Sequence, residues 1–192
     1  GLLWFGWFGF NAGSAVAANG SAVNAFVVTQ VATATAGLTW SIIELVRNGK
    51  TTVLGMITGA VAGLVAITPA SGSVNAMGAI GVGAGAGLIC YIFVAAIKPA
   101  CGYDDSLDVF GVHGIGGIWG AIAAGLWATN TVPGNETNGL FYGNAAQVGI
   151  QLKAIVYTLV WSGVVSFILF KVVDVVIGIK SSEHAERIGL DL

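Results

Sequence analysis

No Asp, Glu, Lys or Arg occurs between Gly1 and Ile43, between Thr51 and Ile97, or between Val109 and Asn135. Uncharged runs of this length cannot form the surface of a water-soluble domain, whose outer shell must carry polar side chains. Charged residues make up 8% of the chain, against roughly 25% in an ordinary soluble domain, and the mean hydropathy is +0.87. These features exclude a soluble enzyme and a disordered segment. With 7 Lys+Arg against 9 Asp+Glu, the chain has no basic patch for nucleic acid. Cys90 and Cys101 indicate neither a disulfide scaffold nor a zinc site, and no metal or cofactor is expected. The expected fold is an all-α membrane protein.

A spanning helix needs about 20 apolar residues, and the uncharged stretches divide into six. They are Gly1 to about Asn19, Ala22 to Ile43, about Thr51 to Thr68, Met77 to Ile97, about Val109 to Thr129, and Gln147 to about Phe170. They define a transmembrane bundle over residues 1–177 with a tail over 178–192. The third span is short and Pro69 ends it, because the residue before a proline disfavours helix. Membrane strands do not fit stretches that are continuously apolar rather than alternating. The uncharged aromatic opening is not expected to be a signal peptide. Gly1 is expected to be a cut edge, with the first span beginning upstream.

Charge sets an expected orientation. Two connections and the tail after Ile177 carry Arg47, Lys50, Lys98, Lys180 and Arg187, whereas the alternate connections carry no Lys or Arg. By the positive-inside rule the tail faces the cytoplasm of a cell membrane. Lys171 ends the last helix on that side, and Lys153, near the outer end of its helix, snorkels.

Gly81-Val-Gly-Ala-Gly-Ala-Gly87 does not meet the GxGxxG register of a dinucleotide cradle, has no strand before it and no acidic residue about 20 positions on. Small residues spaced by four predict close helix packing instead. Gly55, Gly59 and Gly63 have that spacing, as do Gly83 and Gly87, and Gly116 and Gly120.

His113 lies inside the fifth span. An ionisable group is expensive in lipid and marks a functional site by default. Helical spacing groups His113 with Gly116, Gly117, Gly120 and Ala124, so the imidazole projects from a face nearly bare of side chains. Such a face either packs on a neighbour or borders a lumen. In the first span, Trp7, Phe10 and Ser14 share a face at i, i+3 and i+7. Two rings and a hydroxyl can hold a small cation; the alternative is an interfacial aromatic belt with a hydroxyl bonded to its own backbone. Asp108, after Asp104, Asp105 and Ser106, predicts a helix start. Glu44 with Arg47, and Lys171 with Asp174, predict surface pairs of little energetic weight. Asn135-Glu-Thr137 is a glycosylation triplet that counts only in a eukaryotic source.

Four segments carry a family resemblance: Trp7-Phe-Gly-Phe-Asn-Ala-Gly-Ser14, Gly63-Leu-Val-Ala-Ile-Thr-Pro-Ala70, Asp104-Asp-Ser-Leu-Asp-Val-Phe-Gly-Val-His-Gly114 and Trp161-Ser-Gly-Val-Val165. In order and spacing along the whole chain they resemble the ammonium transporter family (Amt/Mep/Rh), most closely its bacterial and archaeal Amt branch. The resemblance implies eleven helices per subunit, a homotrimer with one pore in each subunit, and two five-helix halves related by an inverted repeat. This chain then corresponds to the second half, from within the sixth helix through the eleventh. His113 resembles one of two pore histidines, Phe10 one of two stacked gate rings, and Ser14 the hydroxyl of the outer recognition site. The second histidine, the other ring, the outer tryptophan and a nearby acidic residue belong to the family's first half and have no counterpart here.

The implied activity is transport of ammonium, with methylammonium as an analogue: the cation is bound outside, gives up its proton, and ammonia passes the histidines. In prokaryotic members a PII-type signalling protein docks on the cytoplasmic face, and Ile188-Gly-Leu-Asp-Leu192 resembles the family's regulatory C-terminus. Two rivals are an ammonium-sensing membrane domain of a signalling protein and a channel for another small neutral molecule such as carbon dioxide. An enzyme is the remotest reading, since no nucleophile–base pair is visible. The chain alone is expected not to conduct, because the pore runs between two halves.

Overall fold

The computed structural model describes residues 1–189. Helices α1 (Leu2–Gly13), α2 (Gly20–Asn48), α3 (Val53–Ile67) and α4 (Ala76–Ile92) lead into a π turn (Phe93–Ile97) and the short α5 (Lys98–Cys101). A second π turn (Phe110–Gly114) opens α6 (Ile115–Trp127); a 3-10 turn (Leu140–Tyr142), α7 (Ala146–Ile177) and α8 (Glu183–Ile188) follow. The chain forms two units, one ending at Leu152 and the other starting at Lys153. In the second unit, no described residue of α7 is buried, and Ser182 caps α8 by accepting from the Ala185 N–H at 3.2 Å. Residues 190–192 of the segment that resembles a regulatory C-terminus lie outside the described residues.

The bounds of the expected spans shift in the structure. Among the described residues, four helices are long and apolar enough to cross a membrane: Gly20–Asn48, Ala76–Cys101, Phe110–Trp127 and Ala146–Ile177. The 15 residues of α3 reach about 22 Å at 1.5 Å per residue, short of the roughly 30 Å hydrocarbon layer. Helix α1 stops at Gly13 rather than near Asn19 because the chain turns there, with Val16 at φ +52°. Asn19 then starts the next helix, its side-chain oxygen accepting from the Ala22 N–H at 3.1 Å. Helix α2 runs on past Ile43 to Asn48, where Gly49 at φ +72° supplies the left-handed cap.

Helix α2 is the central element and packs against α1, α3 and α4. Its buried residues Ala25, Val28, Ala32, Ala36 and Trp40 recur at helical spacing. Thr29 and Thr33, both fully buried, return their hydroxyl hydrogens to the Ala25 and Thr29 carbonyls at 2.6 Å, which suits polar side chains in an apolar interior. The glycine stripes lie against this face. A Cβ at Gly59 would stand 2.6 Å from Trp40 Cβ, and one at Gly63 2.7 Å from the Ala32 carbonyl oxygen. From α4, a Cβ at Gly87 would stand 2.7 Å from the Ala36 carbonyl oxygen. No side chain fits at these separations, so glycine spacing sets how closely the three helices approach.

Candidate functional site

Three contacts fix α1 on the core. The Trp7 indole N–H donates to Thr68 Oγ1 at 2.7 Å, and that hydroxyl donates to the Leu64 carbonyl at 2.8 Å. The Phe8 ring stacks on Phe26 with centroids 4.1 Å apart. Asn11 Nδ2 donates to Thr29 Oγ1 at 2.9 Å, and among the described residues of α1 Asn11 alone is buried. Trp7, Phe10 and Ser14 differ in their surroundings. Trp7 turns inward to Thr68, while Phe10 and Ser14 are exposed, with Phe10 meeting Trp7 edge-on at 6.1 Å.

Ser14 Oγ donates to the Phe10 carbonyl at 2.7 Å, which is the backbone-bonded alternative weighed from sequence. That bond uses the hydroxyl hydrogen and leaves the oxygen lone pairs as acceptors. The ring and the hydroxyl are thus both exposed at the end of α1. The local sequence explains the arrangement, because α1 ends at Gly13 and Ser14 occupies its C-cap.

His113 sits within the second π turn, where the Ile115 N–H donates five residues back to the Phe110 carbonyl. The extra residue in this turn offsets the α-helical register, and the face expected from helical spacing splits. Gly116 and Gly120 are buried: a Cβ at Gly116 would meet Cys90 Sγ and Val65 Cγ1 at 3.4 Å, and one at Gly120 would overlap the Ala66 carbonyl. His113 is exposed, and Gly117 has open space where a Cβ would stand. The buried glycines and the exposed imidazole thus meet different surroundings. Single π turns inside helices are frequent at functional sites.

One core relates the two places. Val112, beside His113, is buried with Trp40, Ala62, Val65, Cys90 and Tyr91, and Trp7 of α1 packs against the same cluster. The aromatic–hydroxyl end and the imidazole turn therefore rest on a shared, close-packed support. A cavity of about 510 Å³ lined by Trp4, Thr33, Leu38, Ser41, Ile57 and Leu64 opens elsewhere, and its lining includes none of Phe10, Ser14 or His113.

Several sequence readings are corrected. Asp108 stands at the helix start as expected, but it is the Asp105 carboxylate that accepts from the Val109 and Phe110 N–H groups, both at 2.9 Å, while the Asp108 carboxylate pairs with Lys98. Glu44 is buried rather than paired with Arg47, and accepts from the Thr52 N–H at 2.8 Å at the start of α3. Arg47 lies 6.0 Å over the Tyr91 ring, and Lys171 lies 6.0 Å over Phe167 while Asp174 accepts from the Ile179 N–H. In the glycosylation triplet, Asn135 Nδ2 donates to the Thr129 and Thr137 carbonyls at 2.8 and 2.7 Å, so its amide ties the loop together. Sequence reasoning missed Asn11 and Thr68; the available signal was a polar side chain inside an apolar helix.

Long apolar helices, glycine-set separations and polar groups satisfied inside the bundle define a multi-pass helical membrane protein. The chain belongs to the ammonium transporter family, whose model ("Ammonium Transporter Family") matches residues 1–192. An ammonium transporter of Aquifex aeolicus (strain VF5) is 50% identical over 186 residues, 97% of this chain and 44% of that protein. The crystal structure of Candida albicans Mep2 matches with a TM-score of 0.88 at 35% identity, over 95% of this chain and 41% of that one. A structure named "Sensor Amt Protein" matches with a TM-score of 0.86 at 28% identity, over 99% of this chain and 46% of that one. The chain spans about half the length of the curated relatives it matches.

Proposed function

We propose that the chain supplies one wall of an ammonium-conducting pore. Ammonium is held at the outer end of α1 by the Phe10 ring face and the Ser14 oxygen. A bare cation in an apolar lumen is heavily penalised, so the proton is shed before ammonia moves inward. His113 then offers ammonia a hydrogen-bond partner part-way through. The observation that carries this reading is the exposed His113 on a π turn whose neighbours Gly116 and Gly120 are buried, in a chain of this family.

The same reading places the protein as a homotrimer among membrane lipids of the cell membrane, with its C-terminus cytoplasmic and a PII-type protein as partner there. It assigns transport, not catalysis. The test is methylammonium uptake by a complete transporter carrying this chain as its second half. Uptake competed by ammonium is expected; uptake indifferent to ammonium would point to another solute. The sensor reading is favoured by the likeness to the sensor structure, and transport-inactive protein that still binds ammonium would support it.

A further inference from the structure

We propose that Lys98 is a positioning residue for His113, acting through Asp108; this rests on the pore reading of His113. Asp108 holds φ +56°, a left-handed conformation that a residue with a Cβ keeps only when its surroundings enforce it. Lys98 supplies the enforcement. Its Nζ donates to Asp108 Oδ1 at 2.5 Å and to the Asp105 carbonyl at 2.9 Å, and both side chains of the ion pair are 26% exposed.

Asp108 in turn starts the segment that carries the imidazole. Its carbonyl accepts from the Val112 N–H at 2.9 Å, one residue before His113. The two π turns also touch, since a Cβ at Gly111 would stand 2.8 Å from Val94 Cγ2. Lys98 directly follows the first π turn and Asp108 nearly adjoins the second, so the ion pair closes the same junction that the turns form.

Loss of the pair frees Asp108 to leave the left-handed region. The following turn then relaxes from π toward ordinary α geometry, which loses the one-residue offset and swings His113 toward the packed side of Gly116 and Gly120. Ser14 and Phe10, on α1, are not moved by this change. The signature is a lower maximal rate at an unchanged half-saturation concentration.

The experiment uses a complete transporter carrying this chain, with methylammonium uptake measured per transporter in the membrane. Lys98→Ala and Asp108→Ala are each expected to lower the maximal rate by about three- to tenfold, the range of a part-buried ion pair, with half-saturation unchanged. Glycine adopts a positive φ freely, so Asp108→Gly holds the backbone without the ion pair and is expected to keep most of the rate, also when combined with Lys98→Ala. The Lys98→Ala/Asp108→Ala double variant falls no further than the worse single, and Lys98→Arg keeps the rate. If Lys98→Ala fails to reach the membrane, Asp108→Ala against Asp108→Gly decides. A normal rate for Asp108→Ala, a rate for Asp108→Gly as low as that of Asp108→Ala, losses that multiply in the double variant, or a raised half-saturation would overturn the inference. His113→Ala separates the two levels: lowered rate there with normal Asp108→Ala rejects the Lys98 lock alone, whereas an unchanged rate rejects the pore reading and the lock with it.

Discussion

Gly120 and Gly117 stand three positions apart on α6 and meet opposite surroundings. A methyl at Gly120 would overlap the Ala66 carbonyl oxygen and lie 2.8 Å from the carbonyl carbon and 2.9 Å from Cα. Ordinary contact begins at 3.4 Å, so α6 must retreat from α3 by about 0.6 Å to clear the carbon, and further to clear the oxygen. Ala66 is fully buried and the obstructing atoms are backbone, so no side chain can swing aside. Overpacking of this kind costs about 1–3 kcal/mol, and the backbone clash puts Gly120→Ala at the upper end. At Gly117 a methyl enters open space, and alanine is the better helix former by up to about 1 kcal/mol. The assay is an SDS titration of a purified complete transporter carrying this chain, with the folded fraction followed by tryptophan fluorescence. Gly120→Ala is expected to shift the midpoint strongly downward and Gly117→Ala to leave it unchanged or raise it. Equal losses at the two positions would refute the claim that Gly120 sets the approach of α6 to α3 while Gly117 does not.

Ser14→Ala removes one acceptor from the outer site and is expected to raise half-saturation for methylammonium about fivefold, the equivalent of roughly 1 kcal/mol; an unchanged value takes Ser14 out of the site. Asn11→Leu and Thr29→Val remove the two ends of one buried hydrogen bond, so each costs about 1 kcal/mol of stability and the double variant little more than either. Fully additive losses would show that the bond does not hold α1 in place. Residues 1–192 reconstituted alone are expected to pass no more ammonia than protein-free vesicles, as read by an internal pH dye. A flux abolished by His113 substitution would show that this half makes its own pore.

What was legible in the sequence is what depends on composition and short-range sterics. Gly59, Gly63 and Gly87 announce close packing because only hydrogen fits between backbones at four-residue spacing. His113 is conspicuous because an imidazole in an apolar run needs a reason. The π turn was not legible, since a 3.6-residue period was assumed through Phe110–Gly114 and one extra residue shifts every face before it. Nor was the division of labour between Asp105 and Asp108, because both are acids near a helix start and only the left-handed backbone at Asp108 turns its side chain to Lys98. Glu44 looked like a surface acid at a helix end; it is buried because Gly55 on α3 leaves room for its carboxylate. The end of the first span was misplaced, because Gly13 to Asn19 turns rather than continuing as helix.

The central claim is that His113 lines a path for ammonia, and the most direct measurement is ammonia-driven alkalinisation inside liposomes holding a complete transporter with this chain. The unaltered protein is expected to raise internal pH faster than protein-free vesicles. His113→Ala, at equal amounts of assembled protein, is expected to lower that rate several-fold. A His113→Ala rate equal to that of the unaltered protein would contradict the account.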